Sequence, residues 1–165
     1  MRFILAVGLI VGLSGHCDAK SALERARRDD IVFMADDHPY MVAAMQKAKS
    51  SLSEFLALAR NPQSSMSHFA VKVGIKDGSK VEYFWIIPFR EANDRFSGPI
   101  DNTPRHVTNV TADQVIEFGK DEIVDWMYID GSKMKGNFTA CALLKREPKR
   151  QADAFRQKFG LDCAD

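Results

Sequence analysis

The chain has 165 residues, of which 45% are hydrophobic and 27% charged. That is the composition of an ordinary globular domain, and it excludes fibrous, collagen-like and disordered chains. A chain of this length buries about two-thirds of its unfolded surface, so folding demands no metal, cofactor or partner. The 23 Lys and Arg residues nearly balance the 22 Asp and Glu residues, which leaves no net field to draw in nucleic acid or an anionic membrane.

Behind Arg2, residues 3–13 form an uninterrupted apolar run that is too short to span a bilayer and fits the hydrophobic region of a signal peptide. Small residues at Cys17 and Ala19 place the cleavage before Lys20. Residues 1–19 are therefore read as a signal peptide, residues 20–30 as a charged lead-in carrying Arg25, Arg27 and Arg28, and residues 31–165 as the folded domain. The alternative is lipidation at Cys17, against which stands His16 where a lipoprotein box takes a small residue. The expectation is a periplasmic or secreted protein without a transmembrane segment once the leader is gone. Removal of the leader leaves Cys141 and Cys163, an even number for an oxidising compartment, and the two are predicted to form a disulfide. Such a bridge contributes roughly 3 kcal/mol by loop entropy.

In chain order, Asp36 or Asp37 is expected to cap a helix that begins near His38 with Pro39 in its first turn. Met41, Ala44, Met45 and Ala48, then Leu52, Phe55, Leu56 and Ala59, repeat a helical spacing until Asn61 and Pro62 stop it. Ser50 and Ser51 are candidates for a kink or a division. Phe69, Val71, Val73 and Ile75 then alternate with other residues, Asp77 and Gly78 make a turn, and Val81, Tyr83 and Trp85 alternate again, the pattern of a β-hairpin. A third strand is expected within residues 84–95, a loop over residues 98–104, and further strands at residues 115–118 and 126–129, the last ending in an Asp130-Gly131 turn. Residues 138–144 fit strand or helix. Pro148 opens a terminal helix containing Ala152, Phe155 and Phe159 and closed by Gly160. The predicted fold is α+β: a single small antiparallel sheet of about four or five strands, packed against a long N-terminal helix, with a C-terminal helix.

The motifs for chemistry are sparse. No Gly-rich phosphate loop, nucleophile elbow or zinc spacing occurs, and His38, His68 and His106 are far apart in sequence. Asp36, Asp37 and His38 fit helix capping better than cation binding. Asp121, Glu122 and Asp125 fit a solvated turn better than an acid–base pair. No catalytic residue, metal site or cofactor is therefore assigned. The candidate binding residues are Tyr83, Trp85, Trp126 and Tyr128, at alternate positions of two strands, with Asp101 and Asp125 as polar neighbours; the competing reading places at least two of these aromatics in the core. The basic run Lys145, Arg146, Lys149 and Arg150, with Arg156 and Lys158, offers a surface for an acidic partner or simply a solvated face.

Residues 33–37 (Phe-Met-Ala-Asp-Asp), the helix end Phe55-Leu56, the hairpin segment Phe69-Ala70-Val71-Lys72-Val73, and above all Asp125-Trp126-Met127-Tyr128 before Gly136-Asn137-Phe138-Thr139 resemble the YegJ-like family of bacterial proteins. The likeness extends over residues 31–144. It implies a domain of unknown function, frequent in short secreted proteins, and brings no catalytic residues with it. The functional expectation is a non-catalytic binding or interaction module of the cell envelope that engages an envelope protein or small ligand and no nucleic acid. The alternative is a small periplasmic hydrolase-like enzyme using His and Asp residues.

Overall fold

The structure is a computed structural model that describes residues 35–163. The expected leader, Cys17, the charged lead-in and the first four residues of the expected domain lie outside the described residues, as do residues 164 and 165.

The first helix, α1 (Pro39–Arg60), buries Met41, Ala44, Ala48, Leu52, Phe55 and Leu56 along one face, the stripe that its spacing predicts. Its N-cap is His38, not Asp36 or Asp37. Pro39 holds the preceding residue in the extended region, with His38 at ψ 132°, and the imidazole Nδ1 then accepts the Tyr40 N–H at 3.2 Å. Ser50 and Ser51 neither kink nor divide the helix: both hydroxyls fold back onto the Lys47 carbonyl, at 2.9 and 2.7 Å, which leaves the backbone ladder unbroken.

Among the described residues seven strands follow. Strands β1 (Met66–Asp77), β2 (Lys80–Ile86), β6 (Ile123–Asp130) and β7 (Lys133–Gly136) make an antiparallel sheet in the order β2-β1-β6-β7. Strands β3 (Arg90–Ala92), β4 (Arg95–Pro99) and β5 (Val115–Gly119) form a second antiparallel sheet in that order. The expected single sheet is therefore two. Pro88 has no N–H to continue the β2 ladder, and the chain turns into a β3–β4 hairpin whose turn residues Asn93 and Asp94 both have positive φ, 52° and 60°, as a two-residue primed turn requires. The expected loop at residues 98–104 begins inside β4. There Gly98 meets the first sheet so closely that a Cβ would lie 2.5 Å from both the Ile86 side chain and the Pro88 carbonyl, and an Ile86–Ile100 bridge links the two sheets.

The main core lies between α1 and the two sheets, with Phe55, Phe84, Phe96, Phe118, Ile86 and Ile100 among its buried members. Residues 138–144 resolve as a helix, α2 (Phe138–Leu144), and Pro148 and Gly160 bound α3 (Lys149–Phe159). A smaller cluster of Cys141, Leu144, Ala152 and Leu161 joins these two helices. Cys141 and Cys163 form a disulfide, with their Cα atoms 5.6 Å apart.

Candidate functional site

The register of β1 decides which side chains can meet. Lys72 pairs with Trp85 on β2 and with Asp125 on β6, whereas Val71 pairs with Ile86 and Trp126. Cross-strand partners share a sheet face and consecutive residues oppose each other. Tyr83, paired with Gly74, therefore lies on the face of Trp85, Lys72 and Asp125. Trp126 and Tyr128 are on the other side, in an aromatic stack: Trp126 is 4.8 Å from Phe55, and Tyr128 is 5.2 Å from Phe69, centroid to centroid. The Trp126 indole N–H also donates to the Ala48 carbonyl of α1 at 3.0 Å. Asp101 is exposed on the rim, where its N–H donates to the Trp85 carbonyl at 2.9 Å. Of the six candidates, three share one face, two belong to the core stack and one stands at the edge.

Behind that face lies a buried polar network. Asp125 is fully buried, and its carboxylate accepts the N–H groups of Trp126, Phe138 and Thr139 at 2.9, 3.2 and 2.8 Å and the Thr139 hydroxyl at 2.6 Å. The same hydroxyl oxygen accepts the Lys72 ammonium at 2.7 Å, and the ammonium lies 4.4 Å from the centroid of the Trp85 ring, a cation–π distance. Burial pushes the Asp125 carboxyl upward, against the opposing pull of Lys72 and these donors. Burial likewise pushes Lys72 below the ordinary lysine range, against the attraction of Asp125. Asp125 thus fixes the start of α2 to β6 and is not a solvated turn residue. Of its presumed companions, Glu122 accepts the Gly119 N–H at 2.6 Å, and Asp121 is exposed.

In front of the network opens a cleft of about 480 Å³. Met41, Met45, Val81 and Leu143 give it apolar walls, and Lys72, Tyr83, Asn102, His106 and Thr139 contribute polar groups. Gly74 makes room for the ring of Tyr83, since a Cβ there would lie 2.9 Å from it. The phenol donates to Asp36 at 2.6 Å, and burial followed by this carboxylate raises its pKa far above the usual value.

One rim is a loop held from beneath by Glu82, a buried residue of β2. Its carboxylate accepts the N–H groups of Arg105, His106 and Val107 at 3.0, 2.8 and 3.1 Å. Desolvation pushes Glu82 upward, but these amides and the nearby His106 outweigh it and hold the carboxyl below its ordinary range. Asp77 accepts both the N–H and the hydroxyl of Thr108 at 2.8 Å, and Asn102 accepts the Trp85 N–H at 3.2 Å. The cleft wall is thereby fixed before any ligand arrives.

Lys72, Glu82 and Thr139 were not singled out from sequence. The available signal was a charge inside an apolar alternation: Lys72 between Val71 and Val73, and Glu82 in phase with Phe84 and Ile86. The three described histidines occupy separate places: His38 caps α1, His68 lines an open groove beside Phe69 and Phe89, and His106 is on the cleft loop. Among the described residues no group of three His, Cys, Asp or Glu side chains is placed to hold a metal ion, and no helix is long and apolar enough to cross a membrane.

Residues 38–163 match the profile of DUF2314, described as an uncharacterized protein conserved in bacteria. The chain is 35% identical over 131 residues to the uncharacterized protein YegJ of Escherichia coli strain K12, an alignment covering 79% of this chain and 84% of that protein. No solved structure matches.

Proposed function

The chain belongs to the DUF2314 family of bacterial proteins, and from that premise we propose that it is a non-catalytic binding module of the cell envelope whose cleft takes a small amphipathic ligand. One observation carries this reading: a preformed cleft of about 480 Å³ sets apolar walls from Met41, Met45, Val81 and Leu143 against Lys72, Tyr83 and His106. Apolar lining with a few fixed polar groups is the usual make-up of small-molecule sites. The carboxylates around it are engaged: Asp125 and Glu82 hold backbone amides and Asp36 holds the Tyr83 phenol. The separate positions of His38, His68 and His106 favour binding over the hydrolase-like alternative, which needs a base, an orienting group and a nucleophile together.

Export from the cytosol is part of the same proposal. A Cys141–Cys163 disulfide suits an oxidising compartment, and the apolar residues 3–13 suit a cleaved leader. Of the proposed site residues, Tyr83 and Trp85 with the Asp125 network form the functional face, and Trp126 and Tyr128 support it from the core.

The probe is anilinonaphthalene sulfonate, an apolar dye with a single polar head, added to the native protein. It is expected to bind with one-to-one stoichiometry, to quench Trp85 fluorescence more than Trp126 fluorescence in the single-tryptophan variants W126F and W85F, and to be excluded by Met45→Trp, which fills the cleft. Binding that survives Met45→Trp with unchanged affinity, or no binding by the native protein, overturns the reading.

A further inference from the structure

Lys72 interrupts the apolar alternation of β1 between Val71 and Val73, and it stands in the wall of the large cleft beside Thr139. An ammonium carries three N–H donors and no acceptor. One donor is spent on the Thr139 hydroxyl at 2.7 Å, and the Trp85 ring centroid lies 4.4 Å away. A hydroxyl and an aromatic face leave donor capacity unspent. We infer that Lys72 is the anchor for an anionic head group and that the ligand of the cleft is an aliphatic monocarboxylate, an inference that rests on the reading of the cleft as an amphiphile site.

Asp125 is the counter-charge of Lys72, yet it reaches the ammonium through the Thr139 hydroxyl, which donates to the carboxylate and accepts from Lys72. The carboxylate itself is spent on that hydroxyl and on the N–H groups of Trp126, Phe138 and Thr139. Lys72 is thus held in place by a neutral group and faces the cleft with its charge only indirectly answered. Burial already pushes it below the ordinary lysine range, so an anion placed against it restores part of what desolvation removed. Hydrogen bonds to a charged group in a water-poor site are stronger than neutral ones.

The other polar groups of the wall narrow the choice of head. The Tyr83 phenol is committed to Asp36, and the Asn102 carbonyl oxygen to the Trp85 N–H. Two further carboxylates line the cleft, but Asp36 is exposed and holds the phenol, while Glu82 faces the amides of the loop. A lone ammonium is a compact point charge without the planar fork that suits a phosphate. It fits a head with one negative charge and two acceptor oxygens. The tail is set by Met41, Met45, Val81 and Leu143; unbranched methionines adapt to a flexible chain and impose no fixed outline.

Three probes of one chain length, decanoate, decan-1-ol and decyltrimethylammonium, are titrated calorimetrically into the full chain below their micelle-forming concentrations. Decanoate is expected to bind one-to-one and about tenfold or more tighter than decan-1-ol, with the cation weakest. Lys72→Met is expected to erase that preference and leave decan-1-ol binding unchanged. Lys49→Met, the same change at an exposed lysine of α1 outside the cleft, is expected to keep it. In the unaltered chain, decanoate is expected to move the Lys72 Cε–Hε NMR signals further than decan-1-ol does. If none of the probes binds, or if binding survives Met45→Trp, the cleft reading fails and the anchor with it. If the cleft binds decan-1-ol as tightly as decanoate, or if Lys72→Met keeps the preference, the anchor is overturned and the cleft remains an amphiphile site. Should Lys72→Met bind neither probe, the unaltered chain decides: Lys72 signals that decanoate moves no further than decan-1-ol overturn the inference.

Discussion

Lys72 and Asp125 occupy paired positions on β1 and β6, and the Thr139 hydroxyl connects them by donating to one and accepting from the other. The two charges are unequal in what depends on them. Removal of Asp125 leaves three backbone amides and a hydroxyl without their acceptor, and an ammonium without its counter-charge, in a buried site, whereas removal of Lys72 leaves a carboxylate that still receives four hydrogen bonds. Asp125→Ala is therefore expected to destabilise the fold by about 3–5 kcal/mol, the cost of breaking a buried pair by truncating one member. Lys72→Met is expected to cost roughly 1–3 kcal/mol, since it removes a counter-charge without orphaning the backbone. Urea unfolding of the two single variants and the double variant measures this, and the double is expected to cost less than the sum because both changes remove one shared network. A strictly additive result, or an Asp125→Ala penalty no larger than that of Lys72→Met, shows that the network does not hold α2 to the sheet.

At the level of elements, β2 and the loop over residues 101–110 stand or fall together through Glu82. Its carboxyl is held below the ordinary glutamate value of 4.5 chiefly because three amides outweigh desolvation. A carboxyl whose folded pKa is depressed contributes stability that is full above its unfolded pKa and is lost as pH falls through the lower folded value. The parent is thus expected to lose stability on acidification below about pH 4.5, while Glu82→Gln is less stable by roughly 1–3 kcal/mol at neutral pH and shows a flatter acid limb. Asp77, Glu91 and Asp153 are also held low by their partners, but they are solvent-screened and add little. Thermal melts of both proteins between pH 3 and pH 7 decide the matter, and equal acid slopes would remove Glu82 from it. This element also marks where the sequence stops being readable. The β1–β2 hairpin, the helix stripe of α1 and the bounds of α3 are written in spacing, in Asp77-Gly78 and in Pro148 and Gly160, because local chemistry settles them. The phase of β2 is not written there: Val81, Tyr83 and Trp85 on one face and Phe84 and Ile86 on the other are equally apolar, so only the register against β1 decides which face is core. The same ambiguity put Trp126 and Tyr128 beside Tyr83 and Trp85 as candidates when β1 in fact separates the two pairs. The second sheet escaped because β3 has three residues and its turn is Asn93-Asp94, without the glycine that marks such turns most clearly.

For the whole molecule, the two hydrophobic clusters imply two levels of cooperativity. The larger joins α1 to both sheets, whereas the smaller consists of Cys141, Leu144, Ala152 and Leu161 with few partly buried neighbours. What ties α3 to the body besides that cluster is a parallel bridge between Met134 and Leu161, the backbone bonds of Met134 N–H to Gly160 carbonyl at 2.8 Å and Asp162 N–H to Met134 carbonyl at 3.0 Å, a Lys135–Asp162 ion pair, and the disulfide across 22 residues. The ion pair is partly exposed and is worth less than about 1 kcal/mol, while closure of a loop of that length is worth about 3 kcal/mol. The disulfide is thus the largest single restraint on the C-terminal segment. Reduction, or the paired change Cys141→Ala and Cys163→Ala, is expected to lower the free energy of opening residues 145–163 by about that amount and to leave the amides of β1 and β6 protected up to the global unfolding free energy. Hydrogen exchange resolved by residue reads both quantities in one experiment. If β1 and β6 lose protection in step with α3, the molecule is a single cooperative unit and the disulfide stabilises all of it. If α3 opens alone, its packing against α2 is lost on reduction while the cleft above Lys72 persists, and amphiphile binding is insensitive to redox state.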